Sequence, residues 1–256
     1  MDVVAVIQAR VGSTRLPKKV LLRLEGKTVL EHVISRVEAS KKIDQIIVAT
    51  TTAAEDQVIA DLCKRIGIHV YRGSENDVLD RYYQAVLPFK PNHIVRITAD
   101  CPLMDPKVID WVVTCHLNKK ADYTANIFKE TFPDGLDVEA FTFETLKRAW
   151  EEAALASERE HVTPFIRKRK DLFKQENIEC GVNLGGKRWT LDNQEDFEFI
   201  KAVYEALYSN NPLFSMEEVL MFLEQNPEIE IINSHITRNE GYQKSLENDK
   251  KLKGSG

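Results

Sequence analysis

The chain has 256 residues, 43% of them apolar, with 40 acidic against 35 basic side chains and a formal charge of −5. That size suffices for a buried core, and the acidic balance excludes unspecific nucleic-acid binding unless basic residues cluster locally. No apolar run approaches the roughly 20 residues of a membrane helix, Asp2 stands where a signal peptide carries basic residues, and the four cysteines form no C-x-x-C pair, so a cytoplasmic protein with reduced thiols and no membrane partner is expected.

In chain order, Val3 to Ile7 reads as a buried parallel strand, and the loop after it carries Arg10, Gly12, Ser13, Arg15, Lys18 and Lys19. Val29, Leu30, Val33, Ile34 and Val37 share one helical face, Gln45 to Thr50 repeats the strand pattern, and Val58 to Ile66 gives a helix closed by Gly67. Ile68 to Tyr71 is a third strand, Asp77 to Leu87 a helix, and His93 to Thr98 a fourth strand leading to Asp100. Asp105 and Pro106 then start a helix as cap and first-turn proline. This alternation predicts an open α/β sheet with ligands at the carboxyl ends of its strands.

Past residue 120 the pattern turns mixed. Strands are expected near Ala121 to Asn126, Leu136 to Phe141, Ile178 to Gly181 and Arg188 to Leu191, with helices at Phe143 to Ala154 and His161 to Lys168. Helices resume at Gln194 to Tyr208 and Met216 to Glu224, the latter behind a Ser215 and Glu218 capping box. No repeat or linker interrupts the chain. One domain over residues 1–245 is expected, with a tail over 246–256 whose last four residues read as frayed or as a cloning remnant.

The first loop is ambiguous on its own. A glycine-containing loop between a strand and a helix exposes backbone N–H groups to an anion, and Arg10, Arg15 and Lys19 add charge, yet a solvated basic loop has the same composition. Gly12 has no second glycine before the lysine, so neither a Walker-type loop nor a dinucleotide fingerprint is present.

The residues themselves go further. The stretch IQARVGSTRLPKKVLLRLEGKTVLEHVISRV from residue 7 resembles the opening of sugar-activating nucleotidyltransferases, in the cytidylyltransferase branch of CMP-Kdo and acylneuraminate synthetases. It is most similar there to the spore-coat polysaccharide biosynthesis protein F group. The resemblance continues through IIVATTT, YRGSENDVLDRYYQA, VRITADCPLMDP, FPDGLDVEAF, SEREHVTPFI and RWTLDNQEDF, in order and over nearly the whole chain. It implies a Rossmann-like, three-layer nucleotidyltransferase fold, related to the GT-A glycosyltransferases, with a mixed central sheet and an inserted lid or dimerisation segment. It divides the chain into a nucleotide-binding half (1–120), an acceptor and lid segment (121–190) and a stretch (191–245) bearing a second metal carboxylate.

The implied activity is transfer of CMP from CTP to an acidic sugar or related anionic acceptor, with Mg2+ as cofactor and release of pyrophosphate, in surface polysaccharide or glycan precursor synthesis by a homodimer. Arg15, Lys19 and Asp100 match catalytic positions, and Asp100 and Asp192 the metal carboxylates. Gln8, Ala9, Arg10, Gly12, Ser13, Thr50, Thr51, Asp80 and Arg81 match nucleotide-binding positions, and Lys18 falls where relatives usually have glycine. Asp134, Asp137, Glu139, Arg159 and His161 are the acceptor candidates. Several have structural alternatives: Asp100 as a turn cap before Pro102, Asp192 as the cap of the helix from 194 with Glu195 as its partner, and Thr50 and Thr51 as strand-end packing. A GT-A-like glycosyltransferase and a non-catalytic nucleotide-binding protein are the competing readings, and the former lacks its usual D-x-D, since Asp100 is followed by Cys101 and Pro102.

Overall fold

The computed structural model describes residues 2–238 and 240–253. Its first element, β1 (Val3–Gln8), is followed by a one-turn 3₁₀ helix (Lys19–Leu21), the two-residue strands β2 (Arg23–Leu24) and β3 (Lys27–Thr28), and α1 (Val29–Glu38). Thr28 and Glu31 close a reciprocal cap on α1 that satisfies its first free N–H groups. Then come β4 (Gln45–Thr51), α2 (Gln57–Arg65), β5 (His69–Gly73), α3 (Val78–Val86), β6 (His93–Thr98) and α4 (Pro106–Lys119), the last capped by Asp105 as expected.

The mixed part contains β7 (Tyr123–Ala125), β8 (Glu139–Thr142), α5 (Phe143–Glu152), α6 (Ala156–His161), α7 (Pro164–Lys168) and β9 (Gln175–Asn177). It is followed by α8 (Gln194–Leu207), α9 (Met216–Gln225), α10 (Pro227–Ile231) and α11 (Glu240–Lys253). Seven strands form one sheet in the order β5-β4-β1-β6-β8-β7-β9, parallel across the first four and antiparallel where β8 meets β6 and β7. Strands buried on both faces explain the unbroken apolar runs of β1 and β4. One face, including Ala5, Ile7, Val95 and Ile97, packs on residues of α1, α4 and α8; the other, including Val4, Val6 and Ile94, packs on residues of α3 and α5.

Four expectations need correction. The edge strand is Gln175–Asn177, not Ile178 to Gly181, because Tyr123 to Ala125 runs out of partners there. Arg188 to Leu191 makes only a single bridge, Arg188 to Asp134. The helix from His161 to Lys168 is two helices, broken at Val162, whose φ of 70° no helix tolerates. Residues 246–253 continue α11 where the sequence reads as tail, and 254–256 lie outside the described residues.

The topology places the site. The chain runs outward from β1 to β4 and β5, then crosses back to β6 on the other side of β1. The carboxyl ends of β1 and β6, paired Gln8 to Thr98, therefore diverge into loops that leave a crevice between them.

Candidate active site

A cavity of about 700 Å³ occupies that crevice. One wall is the loop after β1, a second the start of α3, and a third α6, with Asp100 and Asp192 on the floor.

The loop is built to hold a fixed shape. Buried Asp56 accepts from the Val11 backbone N–H at 2.6 Å and from the Thr51 hydroxyl, tying the loop to the end of β4. Lys18 sits in the left-handed region at φ 58°, ψ 23°, a conformation that favours glycine, and turns the chain into the 3₁₀ helix that carries Lys19. Lys19 Nζ then reaches Asp100 Oδ2 at 2.6 Å and Asp192 Oδ1 at 2.8 Å, and Arg15 meets the same Asp192 oxygen at 2.8 Å. Burial works to raise the Asp100 carboxyl, but the Lys19 ammonium outweighs it and holds the group down at about 2. The two carboxylates raise the Lys19 ammonium above its ordinary value against its own desolvation.

Asp192 is not a helix cap. Asn193 is the cap residue of α8, and Asp196, not Glu195, accepts from the Asn193 and Asp192 N–H groups at 2.9 Å each. Asp196 also takes Arg188 at 2.8 Å, and Arg188 reaches Asp192 Oδ2 at 3.3 Å. Asp56 and Asp196 were missed: Asp56 acts on Val11, 45 residues away, while the Asn193 and Asp196 spacing is a local capping pattern that was the available hint for the second.

The other candidates divide. Gln8, Ala9, Arg10, Gly12, Ser13 and Arg81 line the cavity with Arg15 and Lys19. Arg81 is buried and donates to the Ser74 carbonyl at 2.9 Å. Thr50 and Thr51 are buried off the cavity, Thr51 acting on the loop through Asp56. Asp80 accepts from Trp150 Nε1 at 2.8 Å, away from the cavity.

Of the acceptor candidates, Arg159 and His161 line the cavity and Asp134, Asp137 and Glu139 do not. Arg159 is held by Asp77 at 2.6 Å and so is already neutralised, while the His161 ring bonds Ser245 Oγ at 2.9 Å. Burial, with Arg96 and Arg167 nearby, lowers His161 to about 4 despite the opposing Glu160. Glu139 is buried against Arg96 at 2.5 Å and the Tyr123 hydroxyl.

An α/β sheet with a cation-lined cavity at its switch point, and two carboxylates converging beside it, fits a nucleotidyltransferase, and the chain's similarity to known proteins shows that class. The Cytidylyltransferase family profile matches residues 4–231. The chain belongs to the cytidylyltransferase family. It is 33% identical to the spore coat polysaccharide biosynthesis protein SpsF of Bacillus subtilis, over 89% of this chain and 96% of that one. It is 42% identical to the uncharacterized protein MJ1063 of Methanocaldococcus jannaschii, over 92% and 96% of the two chains. Among solved structures, a cytidylyltransferase from Leptospira borgpetersenii superposes with a TM-score of 0.86 at 33% identity, covering 93% of this chain and 98% of that one. No helix among the described residues is long and apolar enough to cross a membrane.

Proposed function

We propose that this enzyme transfers CMP from CTP to an anionic sugar acceptor and releases pyrophosphate, with Mg2+ held by Asp100 and Asp192. The observation that carries the reading is the meeting of both carboxylates on one cation, Lys19 Nζ, beside a loop that adds Arg10 and Arg15 to the same cavity. Two carboxylates fit magnesium, which shares its oxygen shell with phosphate groups and water, and among the described residues no third His, Cys, Asp or Glu joins them. Bound Mg2+ would supply Lewis-acid polarisation of the phosphate oxygens.

In the transfer, an acceptor oxygen attacks the α-phosphorus, a new P–O bond forms, the bond to the β-phosphate bridging oxygen breaks, and the acceptor's proton passes to solvent. Arg15 and Lys19 are placed to neutralise charge gathering on the leaving pyrophosphate, the effect that dominates such transfers. The fixed loop orients the triphosphate without reorganising. The name of the Bacillus subtilis relative supports an acceptor from polysaccharide synthesis.

The test is pyrophosphate release with CTP, UTP, GTP and ATP in turn, each against a panel of sugar acids and sugar phosphates with and without Mg2+. Release with CTP, an acid and Mg2+ together is expected. Absence of release from every combination would overturn the reading.

A further inference from the structure

The family match ends at residue 231, yet residues beyond it contact α6, one wall of the cavity, and the side chains behind its floor. Asn233 donates to the Arg188 carbonyl at 3.0 Å and to Asp196 at 2.9 Å. Arg238, largely buried, meets Asp137 at 2.7 Å, Asp134 at 3.5 Å and Glu130 at 3.5 Å. On α11, Ser245 bonds His161 at 2.9 Å and Glu160 at 2.8 Å, Tyr242 packs edge-on against the His161 ring, and Asp249 accepts from the Ser157 N–H at 3.3 Å.

Those contacts form two chains of interaction ending at the cavity. One alternates in charge from Arg238 to Asp134, then Arg188 at 3.2 Å, then Asp192 at 3.3 Å. Along the same path, Gly135 lies so close to the 188–190 backbone that a Cβ there would come within 2.6 Å of the Trp189 carbonyl carbon. Trp189 donates to the Asp134 carbonyl, and Leu191 donates to the Asp100 carbonyl at 2.8 Å. The second chain runs from α11 to α6, a six-residue helix too short to be stable alone. It is followed by Val162 at φ 70°, ψ −57°, a strained turn for a β-branched residue that closes with a Thr163 N–H to His161 carbonyl bond of 2.8 Å. Such a wall keeps its shape only if other elements impose it.

The geometry points to Tyr242, Ser245 and Asp249 on α11 as the residues that set the α6 wall of the cavity, where the acceptor binds, and to Arg238 as a positioning residue that holds residues 132–138 behind the cavity through Asp134 and Arg188. The inference rests on the transfer reading above, in that it assigns the acceptor to the α6 wall; residues 132–138 lie behind the cavity and do not line it. Asp192 retains Lys19, Arg15 and Arg188 when Arg238 is removed, so the nucleotide side keeps its shape. The Asp134 and Asp137 carboxylates lose a shared counter-charge, and the loop between them is released.

The experiment uses full-length Arg238→Gln, Arg238→Lys and Ser245→Ala. Hydrogen exchange, which needs no acceptor, is expected to quicken roughly tenfold or more across residues 132–138 in Arg238→Gln and across 156–163 in Ser245→Ala. Residues 8–20 and the affinity for CTP are expected to stay within about twofold in both. With the acid that supports pyrophosphate release, Ser245→Ala should raise the acceptor KM roughly tenfold with the CTP KM unchanged, and Arg238→Lys should restore most of the exchange protection that Arg238→Gln loses. Unchanged exchange in both segments, or a CTP KM rising in step with the acceptor KM, would overturn the inference. Failure of every acid to react would remove the transfer reading instead, and the exchange data would still decide whether these residues hold the wall. Should Arg238→Gln not fold, Ser245→Ala carries the test from the other end.

Discussion

The two sides of the cavity are charged in different ways. On the proposed nucleotide side, Arg10, Arg15, Lys19 and Arg81 line the open space; Arg15 and Lys19 meet the two candidate metal ligands, and Arg10 meets half-exposed Glu75 at 3.7 Å. On the α6 side, and behind the cavity, the charges mostly consume one another: Asp77 takes Arg159 at the wall, while off the cavity Glu139 takes Arg96, and Asp134 and Asp137 take Arg188 and Arg238. The first arrangement is poised for a polyanion, and the second holds a backbone in place. Buried pairs of the second kind cost desolvation and return mainly a defined geometry.

This contrast can be broken by mutation. The largest effect is expected for Asp100→Ala, which removes a floor carboxylate and several kcal/mol of transition-state stabilisation. Turnover should fall roughly 10³-fold in a pyrophosphate assay while circular dichroism stays native. Next is Gly135→Ala, at φ 110° and against the Trp189 backbone, where no side chain fits. It should cost more than about 2 kcal/mol, read as a drop of several degrees in Tm, because the loop and residues 188–192 must part. If Gly135→Ala left Tm unchanged, the segment behind the cavity would not be the rigid scaffold described.

Acid separates the two sides as well. Neutral His161 is favoured in the folded protein, so between its ordinary 6.5 and about 4 the unfolded chain binds more protons, and stability is lost as pH falls through that window. Asp100, held down at about 2 from its ordinary 3.8, keeps its contribution until pH falls below 3.8. Exchange corrected for its intrinsic pH dependence should therefore quicken across 156–163 between pH 6 and 4, with residues 8–20 protected until lower pH. Simultaneous loss would show the two sides to be one cooperative unit.

The smallest effect is expected for Lys18→Gly. Relief of a left-handed lysine is offset by the entropy of glycine, so Tm should stay level or rise by less than about 1 kcal/mol equivalent. A clear loss of activity with native Tm would give Lys18 a role in binding.

How much was legible in the sequence follows the same divide. β1 and β4 were readable because buried parallel strands write continuous apolar runs, β5 and β6 because short β-branched stretches recur between helices, and the cavity then followed from sheet topology. The capping pairs at Asp105 and Ser215 were readable because they are local. Short antiparallel strands such as Tyr123–Ala125 have too few residues to show a period, and the break at Val162 comes from tertiary contacts rather than a Gly or Pro. The pairing of Arg238 with Asp134 and Asp137 spans about a hundred residues, and nothing in either stretch announces the other.

The most direct measurement of the central claim is a crystal structure with Mg2+ and a non-hydrolysable CTP analogue. The account predicts the metal about 2.1 Å from oxygens of both Asp100 and Asp192, with Lys19 Nζ moved from the carboxylates onto a phosphate oxygen. A nucleotide bound with Lys19 still bridging Asp100 and Asp192, and the metal held elsewhere, would contradict it.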